Sequence, residues 1–310
     1  MTPTVVLLGP TGQVGMALRR ALAPVARLVI LDRHSPGGAG DLLQPEALAQ
    51  AILHSGAQAV VNAAAYTAVD LAEQESERAH AINAHAAGVV AQAVEAIGAW
   101  VVHYSTDYVF DGSGQTPWVE TDITAPLNVY GASKRAGELA LIDACHRHIV
   151  LRTSWVYGLH GSNFAKTMVK LALQREQLRV IDDQMGAPTG ADLIADVTAH
   201  LLRAVLSGER AGSAQGAGIY HLAAQGVCSW HAYATHVIQT AQRIRPDWGW
   251  RVQEIAAVDS AAFVTAARRP LNSRLDTRRL QSQWGVVMPP WQMGVEHMLE
   301  QWLPLAQDLD

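Results

Sequence analysis

Short apolar runs alternate, through the first half of the chain, with longer segments whose apolar positions recur at helical spacing. Residues 5–8 (Val-Val-Leu-Leu) are closed by Gly9 and read as a buried strand. Gln13–Leu22 is rich in helix formers and ends before Pro24. Arg27–Leu31 is a second strand. Pro45–Leu53 is a helix whose proline stands in the first turn, where a missing N–H leaves nothing unpaired. Residues 58–62 form a third strand, and residues 77–97 a single long Ala-rich helix stopped by Gly98. Residues 100–104 are a fourth strand, 128–145 a helix, and His148–Thr153 a fifth strand. Strands that are apolar throughout, rather than at every second position, are buried on both faces. The pattern therefore predicts a parallel sheet covered by helices, with right-handed crossovers, hence a doubly wound α/β fold.

Beyond Trp155 the rhythm loosens. Residues 162–175 and Ala191–Leu206 read as helices, with a strand near residues 178–181 between them. Residues 208–218 (GERAGSAQGAG) read as a surface loop. The last third is richer in Trp, Arg and Pro, and a smaller lobe over the C-terminal edge of the sheet is expected from it. The expected division is a dinucleotide-binding domain at 1–155 and about 190–220, with a substrate lobe at about 156–189 and 221–310.

Composition narrows the classes of partner. The chain is 49% hydrophobic and 16% charged with a net charge of -5, and its basic residues form no run, so no nucleic-acid partner is expected. No uncharged stretch is long enough to span a bilayer, and the N-terminus reads as a core strand rather than a signal peptide. Two widely separated cysteines, Cys145 and Cys228, suit a reducing compartment, so a cytoplasmic location is expected.

Candidate chemistry lies at the ends of the predicted strands. Gly9-Pro-Thr-Gly12-Gln13-Val14-Gly15 joins the first strand to the first helix. Glycines permit a tight turn and close backbone approach, and the helix N-terminus offers unpaired N–H groups to a pyrophosphate. Asp32 stands at the end of the second strand, where an acid can bind the adenosine ribose hydroxyls; Arg33 and His34 follow and would offset its repulsion of a 2′-phosphate. NADH and NADPH are therefore both admissible in a Rossmann-type site. Tyr130 and Lys134 share one helix face, and an ammonium beside the phenol is expected to lower its pKa from about 10. That would make Tyr130 a general acid toward a carbonyl receiving hydride. Thr106, at the C-terminal edge of the sheet, could hydrogen-bond the carbonyl or cap a turn.

Several segments together resemble the extended short-chain dehydrogenase/reductase superfamily and, within it, the dTDP-4-dehydrorhamnose reductases of dTDP-rhamnose biosynthesis. They are GPTGQVG (9–15), VNAAAYTAVDLAE (61–73), STDYVFDG (105–112), YGASKRAGE (130–138), RTSWVYG (152–158), NFAKTM (163–168), DDQMGAPT (182–189) and RRPLNSRLDT (268–277). The glycine loop and Tyr-x-x-x-Lys are common to the superfamily; STDYVFDG, RTSWVYG and RRPLNS are narrower. The resemblance implies hydride transfer from NAD(P)H to C4 of a dTDP-4-keto sugar, with Tyr130 protonating the oxygen and Thr106 and Lys134 completing the catalytic group. It implies that Gly12, Gln13 and Val14 contact the pyrophosphate and that Asp32, Asp41 and Leu42 flank the adenosine. Ala64, Ala65 and Tyr66 would line the cofactor path, and Thr106, Asp107 and Trp155 would touch the sugar. Trp155 is otherwise a core residue. Arg268 is either a fork for the diphosphate or a surface ion-pair residue.

Two departures bear on the chemistry. Similar dehydratases carry Asp-Glu after the threonine; Asp107-Tyr108 stands here, which favours reduction over elimination. Some similar reductases are magnesium-bridged dimers that use an acid just after the glycine loop. No Asp or Glu lies between Gly12 and Asp32, so no metal site is expected, and monomer and homodimer both stay open. The alternatives are a reductase or epimerase of another nucleotide sugar, and a non-catalytic NAD(P)-binding subunit like the regulatory subunit of methionine adenosyltransferase.

Overall fold

Alternate residues of β1 (Thr4–Leu8) serve two separate cores. Val5 and Leu7 join a cluster with Leu18 and Leu22 of the helix Gln13–Leu22 and with Ile194 and Leu201 of the helix Ala191–Leu206. Val6 and Leu8 point the other way, to Leu48 and Ile52 of the helix Pro45–Leu53, Val90 and Val94 of the helix Ala86–Ala96, and Leu141 of the helix Val129–Ala144. The strand is therefore buried at every position, which is what its unbroken apolar run requires.

This computed structural model describes residues 2–207 and 216–306. Most of the glycine-rich stretch expected as a surface loop, 208–215, lies outside the described residues. β2 (Arg27–Leu31), β3 (Ala59–Asn62), β4 (Trp100–Thr106), β5 (His148–Thr153) and a last strand, Gly218–His221, complete a six-stranded sheet. Its spatial order is β2, β1, β3, β4, β5, Gly218–His221, and every neighbouring pair is parallel. With helices on both faces this is the doubly wound α/β fold the pattern predicted. The order reverses between β1 and β3, so the loops that leave the C-terminal ends of these two strands part there and open a crevice.

The long Ala-rich helix expected over 77–97 is not one α-helix. Ser76–His80 and Ala86–Ala96 are joined through a π-helical turn, Ala81–His85. The turn carries Asn83 inward and lays its backbone against the helix Val129–Ala144. A Cβ on Gly137 would stand 2.0 Å from the Asn83 carbonyl oxygen, so only glycine allows the approach. Periodicity registers an apolar stripe but not a local change of hydrogen-bond partner.

A third apolar cluster holds the remaining lobe. It gathers the helices Phe164–Gln174, Trp230–Ile244 and Trp291–Trp302 with the parallel pair Gln177–Ile181 and Glu254–Val258. Its heart is a set of touching rings: Trp155 stacks on Trp230 at 3.7 Å between centroids, and Phe164, Tyr233 and Trp291 pack around them. Both cysteines are buried and free. Among the described residues no helix is long and apolar enough to cross a membrane.

Candidate active site

The phosphate loop forms as its glycines require. Gly9 takes a left-handed φ of 71°. A Cβ on Gly15 would lie 2.0 Å from the Gly9 carbonyl oxygen, so the first helical turn can close on the loop only without a side chain. Gly12 is the N-cap of Gln13–Leu22 and offers no side-chain acceptor, which leaves the first-turn N–H groups to an external anion. Gln13 reaches across to the second lobe, where its Oε1 accepts from Asn163 Nδ2 at 3.1 Å.

Asp32 lies one residue beyond β2, and its Oδ1 accepts the His34 N–H at 2.8 Å. Gly40 packs on the Asp32 backbone, so Asp41 and Leu42 come to the same corner. Arg33 makes an exposed contact to His34. Ala64 runs directly against Gly9. Tyr66 is gripped through its backbone: its N–H donates to Asn83 Oδ1 at 2.9 Å and its carbonyl accepts from Asn83 Nδ2 at 3.0 Å. The same Nδ2 donates to Ser133 Oγ at 3.0 Å, on the Tyr130 helix. The π-helical turn thus ties the loop after β3 to the helix Val129–Ala144.

Thr106 is the last residue of β4, a strand two residues longer than expected. Its hydroxyl donates to Asp107 Oδ1 at 3.1 Å and hydrogen-bonds Tyr130. Asn128 caps the helix Val129–Ala144 by accepting the Gly131 N–H, and its amide donates to the Arg268 carbonyl at 2.8 Å. Tyr130, Lys134, Thr106 and Asp107 are brought together at the sheet edge.

The electrostatics differ from expectation at Tyr130. Its pKa is raised to about 12, chiefly by burial, with the Thr106 hydrogen bond opposing. The expected lowering by Lys134 is absent because the lysine nitrogen turns to His103 Nε2, 3.3 Å away. Burial brings Lys134 down to about 8, against an upward pull from Glu138. Asp107 is pushed up to about 7 by burial, with hydrogen bonds from Ser273 and Thr106 working against the shift. Beneath the site Arg152 and Glu138 form a fully buried two-pronged ion pair at 2.8 and 2.7 Å.

A cleft of about 1130 Å³ adjoins these groups, lined among others by Tyr108, Phe164, Arg179, Trp230, Phe263 and Arg268. The Tyr108 ring meets Tyr130 edge-on at 5.7 Å. Arg268 therefore faces the cleft, as does Arg269 beside it, which also donates to Asp70 at 2.6 Å. Trp230 is the tryptophan on the cleft wall, with Trp155 stacked on it and held at φ 48°. Among the described residues no three His, Cys, Asp or Glu gather into a metal-binding group.

With the geometry described, comparison with known proteins becomes informative. The family described as the RmlD substrate binding domain matches residues 3–303. The chain belongs to this family. The dTDP-4-dehydrorhamnose reductase of Shigella flexneri is 50% identical over 297 residues, covering 96% of this chain and 97% of its own length. That of Escherichia coli K12 is 49% identical over 297 residues, with the same coverage. The crystal structure of the Bacillus anthracis dTDP-4-dehydrorhamnose reductase in complex with NADP matches with a TM-score of 0.84 at 32% identity. It covers 97% of this chain and 100% of that one. A Thermus thermophilus UDP-glucose 4-epimerase, at 18% identity and a TM-score of 0.75, shares the fold.

Within this RmlD-family chain, four residues at the site escape a reading of sequence. Asn83 sits inside an Ala-rich helix, where its one signal is a polar group on the buried face. Asn62 and His103 are polar positions in otherwise apolar strands, the pattern of a functional interior. Trp230 opens a helix whose aromatic spacing looks the same whether it faces a core or a cleft.

Proposed function

We propose that the chain is an oxidoreductase that reduces the C4 ketone of dTDP-4-dehydro-L-rhamnose to dTDP-L-rhamnose, with NADPH or NADH as reductant. The carrying observation is near-full-length identity of about one half to dTDP-4-dehydrorhamnose reductases, in a chain where Thr106, Tyr130 and Lys134 meet beside a large cleft. Its residues suit a dinucleotide: the closed Gly9–Gly15 turn and the uncapped first-turn amides match a diphosphate, and Asp32 with Asp41 and Leu42 forms a corner fit for an adenosine.

When bound, the reduced dinucleotide supplies a hydride to C4 and is itself oxidised. Tyr130, with its phenol near 12, is fully protonated at neutral pH and donates its proton to the ketone oxygen. Thr106 hydrogen-bonds the oxygen as charge grows on it, and holds Tyr130 meanwhile. Lys134 holds the ribose beside the reacting carbon and balances the phenolate left behind. Asp107 takes part of the sugar's hydroxyl contacts, and Trp230 backed by Trp155 gives its ring a flat apolar wall. Arg268 meets the diphosphate. Tyr108 stands where a dehydratase carries glutamate, so no second base is at hand for elimination. The dinucleotide-binding part is assigned to 1–155 and about 190–220, the sugar-nucleotide part to about 156–189 and 221–310, and the enzyme to the cytoplasm as a monomer or homodimer.

The test is oxidation of NADPH and of NADH, followed by absorbance, with dTDP-4-dehydro-L-rhamnose as substrate. The expected result is turnover with dTDP-L-rhamnose as product. Protein that is folded and binds the dinucleotide yet leaves this sugar unreduced would overturn the assignment.

A further inference from the structure

The phosphate loop and the second lobe are bridged by a pair of carboxamides, Gln13 and Asn163. Gln13 is the first residue of the helix Gln13–Leu22, directly after the glycine turn. Asn163 caps the helix Phe164–Gln174 in the second lobe. Which end of each carboxamide is oxygen follows from what its partners can do. Asn163 Oδ1 takes the Lys166 backbone N–H at 3.1 Å, and an N–H can only donate, so this end is the acceptor. Asn163 Nδ2 lies 2.8 Å from the Gly158 carbonyl oxygen, which can only accept. Backbone groups thus fix both ends of Asn163. Its NH₂ has a second proton, and Gln13 receives it at 3.1 Å. The Gln13 atom at that contact has to be the oxygen, because two NH₂ groups cannot bond each other. The remaining end of Gln13 is therefore its NH₂, and among the described residues nothing accepts from it. The stem of Gln13 is held as well. Gly158 and Gly161 run beside it, where a Cβ would stand 3.7 and 3.6 Å from its carbons. Lys166, almost fully buried, secures that loop by donating from Nζ to the Leu159 and Gly161 carbonyls.

We infer that Asn163 is a positioning residue of the dinucleotide site: from the second lobe it locks the Gln13 carboxamide with its oxygen toward the lobe and its NH₂ reserved for the diphosphate. A free glutamine presents oxygen as readily as nitrogen, and its oxygen repels an anion. A locked one offers only protons, and its ordering is complete before the ligand arrives. This rests on reading the Gly9–Gly15 turn as a dinucleotide site; the sugar plays no part in it. An Asn163 with a purely structural role would cap its helix and hold Gly158, with nothing transmitted through Gln13.

The experiment is a double-mutant cycle on NADPH affinity, read by fluorescence titration of the full-length protein without sugar nucleotide. Asn163→Ser keeps a helix cap but withdraws the NH₂. Gln13→Met keeps the length of the side chain and removes its carboxamide. Each substitution alone should raise the Kd for NADPH by about five- to tenfold, the scale of one lost hydrogen bond. With Gln13→Met already in place, Asn163→Ser should change Kd by less than about twofold. A Kd unmoved by either single substitution overturns the inference. So does an Asn163→Ser effect of equal size in both backgrounds, which would mark a structural role. Should Asn163→Ser fail to fold, Gln13→Met decides alone, and an unchanged Kd there is fatal. Protein that binds NADPH but leaves the sugar unreduced fails the reductase reading and not this one.

Discussion

The sheet and the second lobe meet at one cleft but are built from different materials. Val5, Val6, Leu7, Leu8, Val60, Val61, Val101, Val102, Val150 and Leu151 fill the sheet layers, all fully buried. β-Branched residues have few rotamers to lose on burial and suit a pleated interior. Their strands end in Asn62, Thr106 and Thr153, so the polar groups are fixed by the most rigid part of the molecule. The second lobe is held by faces of rings, Trp155 on Trp230 and Phe164 and Tyr233 around them. Rings provide flat apolar area with few rotatable bonds. In the reaction proposed above, chemistry falls to the sheet and discrimination of the sugar to the lobe.

Substitutions on either side should break that assignment or sharpen it. The largest effect is expected on the sheet side. Tyr130→Phe should lower kcat by about 10²–10⁴-fold while dinucleotide affinity, read by fluorescence titration, stays unchanged. A loss of affinity of similar size would mean that the tyrosine binds rather than reacts. Next comes Arg152→Leu, which leaves the buried Glu138 carboxylate to Arg135 alone. A loss of about 3–5 kcal/mol in urea unfolding is expected, and a loss under about 1 kcal/mol would show the pair to be dispensable.

Asp107 gives a pH-dependent case. Its folded pKa of about 7 lies above the ordinary carboxylate value, so between about pH 4 and 7 the folded state keeps a proton that the unfolded state releases. Stability contributed at low pH is therefore lost as pH rises through that window. Asp107→Asn should remove the loss, stabilising the protein at pH 8 relative to pH 4 by about 4 kcal/mol, measured by denaturation at both pH values. The smallest effect is expected in the lobe. Trp230→Ala should raise KM for the sugar nucleotide about tenfold, or about 1.4 kcal/mol, with kcat changed much less. A fall in kcat with KM unmoved would place Trp230 in the chemistry and erase the contrast.

The same contrast separates what could be read in the sequence from what could not. Gln13–Leu22, Arg27–Leu31, Pro45–Leu53, His148–Thr153 and Ala191–Leu206 were legible to the residue, because each is a long apolar pattern bounded by Gly, Pro or a change of period. The two-residue strands Met185–Gly186, Thr189–Gly190 and Cys228–Ser229 carry no period at all and exist only through tertiary pairing. Of the site, the glycine loop and the Tyr130–Lys134 spacing were visible because local geometry demands those residues. The raised pKa of Tyr130 was not, since it depends on burial and on which way the lysine turns. The lysine nitrogen lies against His103, which comes from a strand distant in sequence.

The π-helical turn at Ala81–His85 has a consequence for chain length. An i to i+5 turn holds one residue more than an α-helix of the same span needs. Removing any one of the five would let the helix wind regularly and would suit its own hydrogen bonds. It would also abolish the bulge that carries Asn83 inward and presses its backbone on Gly137. Asn83 would swing out from between Tyr66 and Ser133, and the loop after β3 would lose its tether. The segment is thus tuned in residue count as well as residue identity, and a deletion there should leave a stable helix attached to a slack dinucleotide loop.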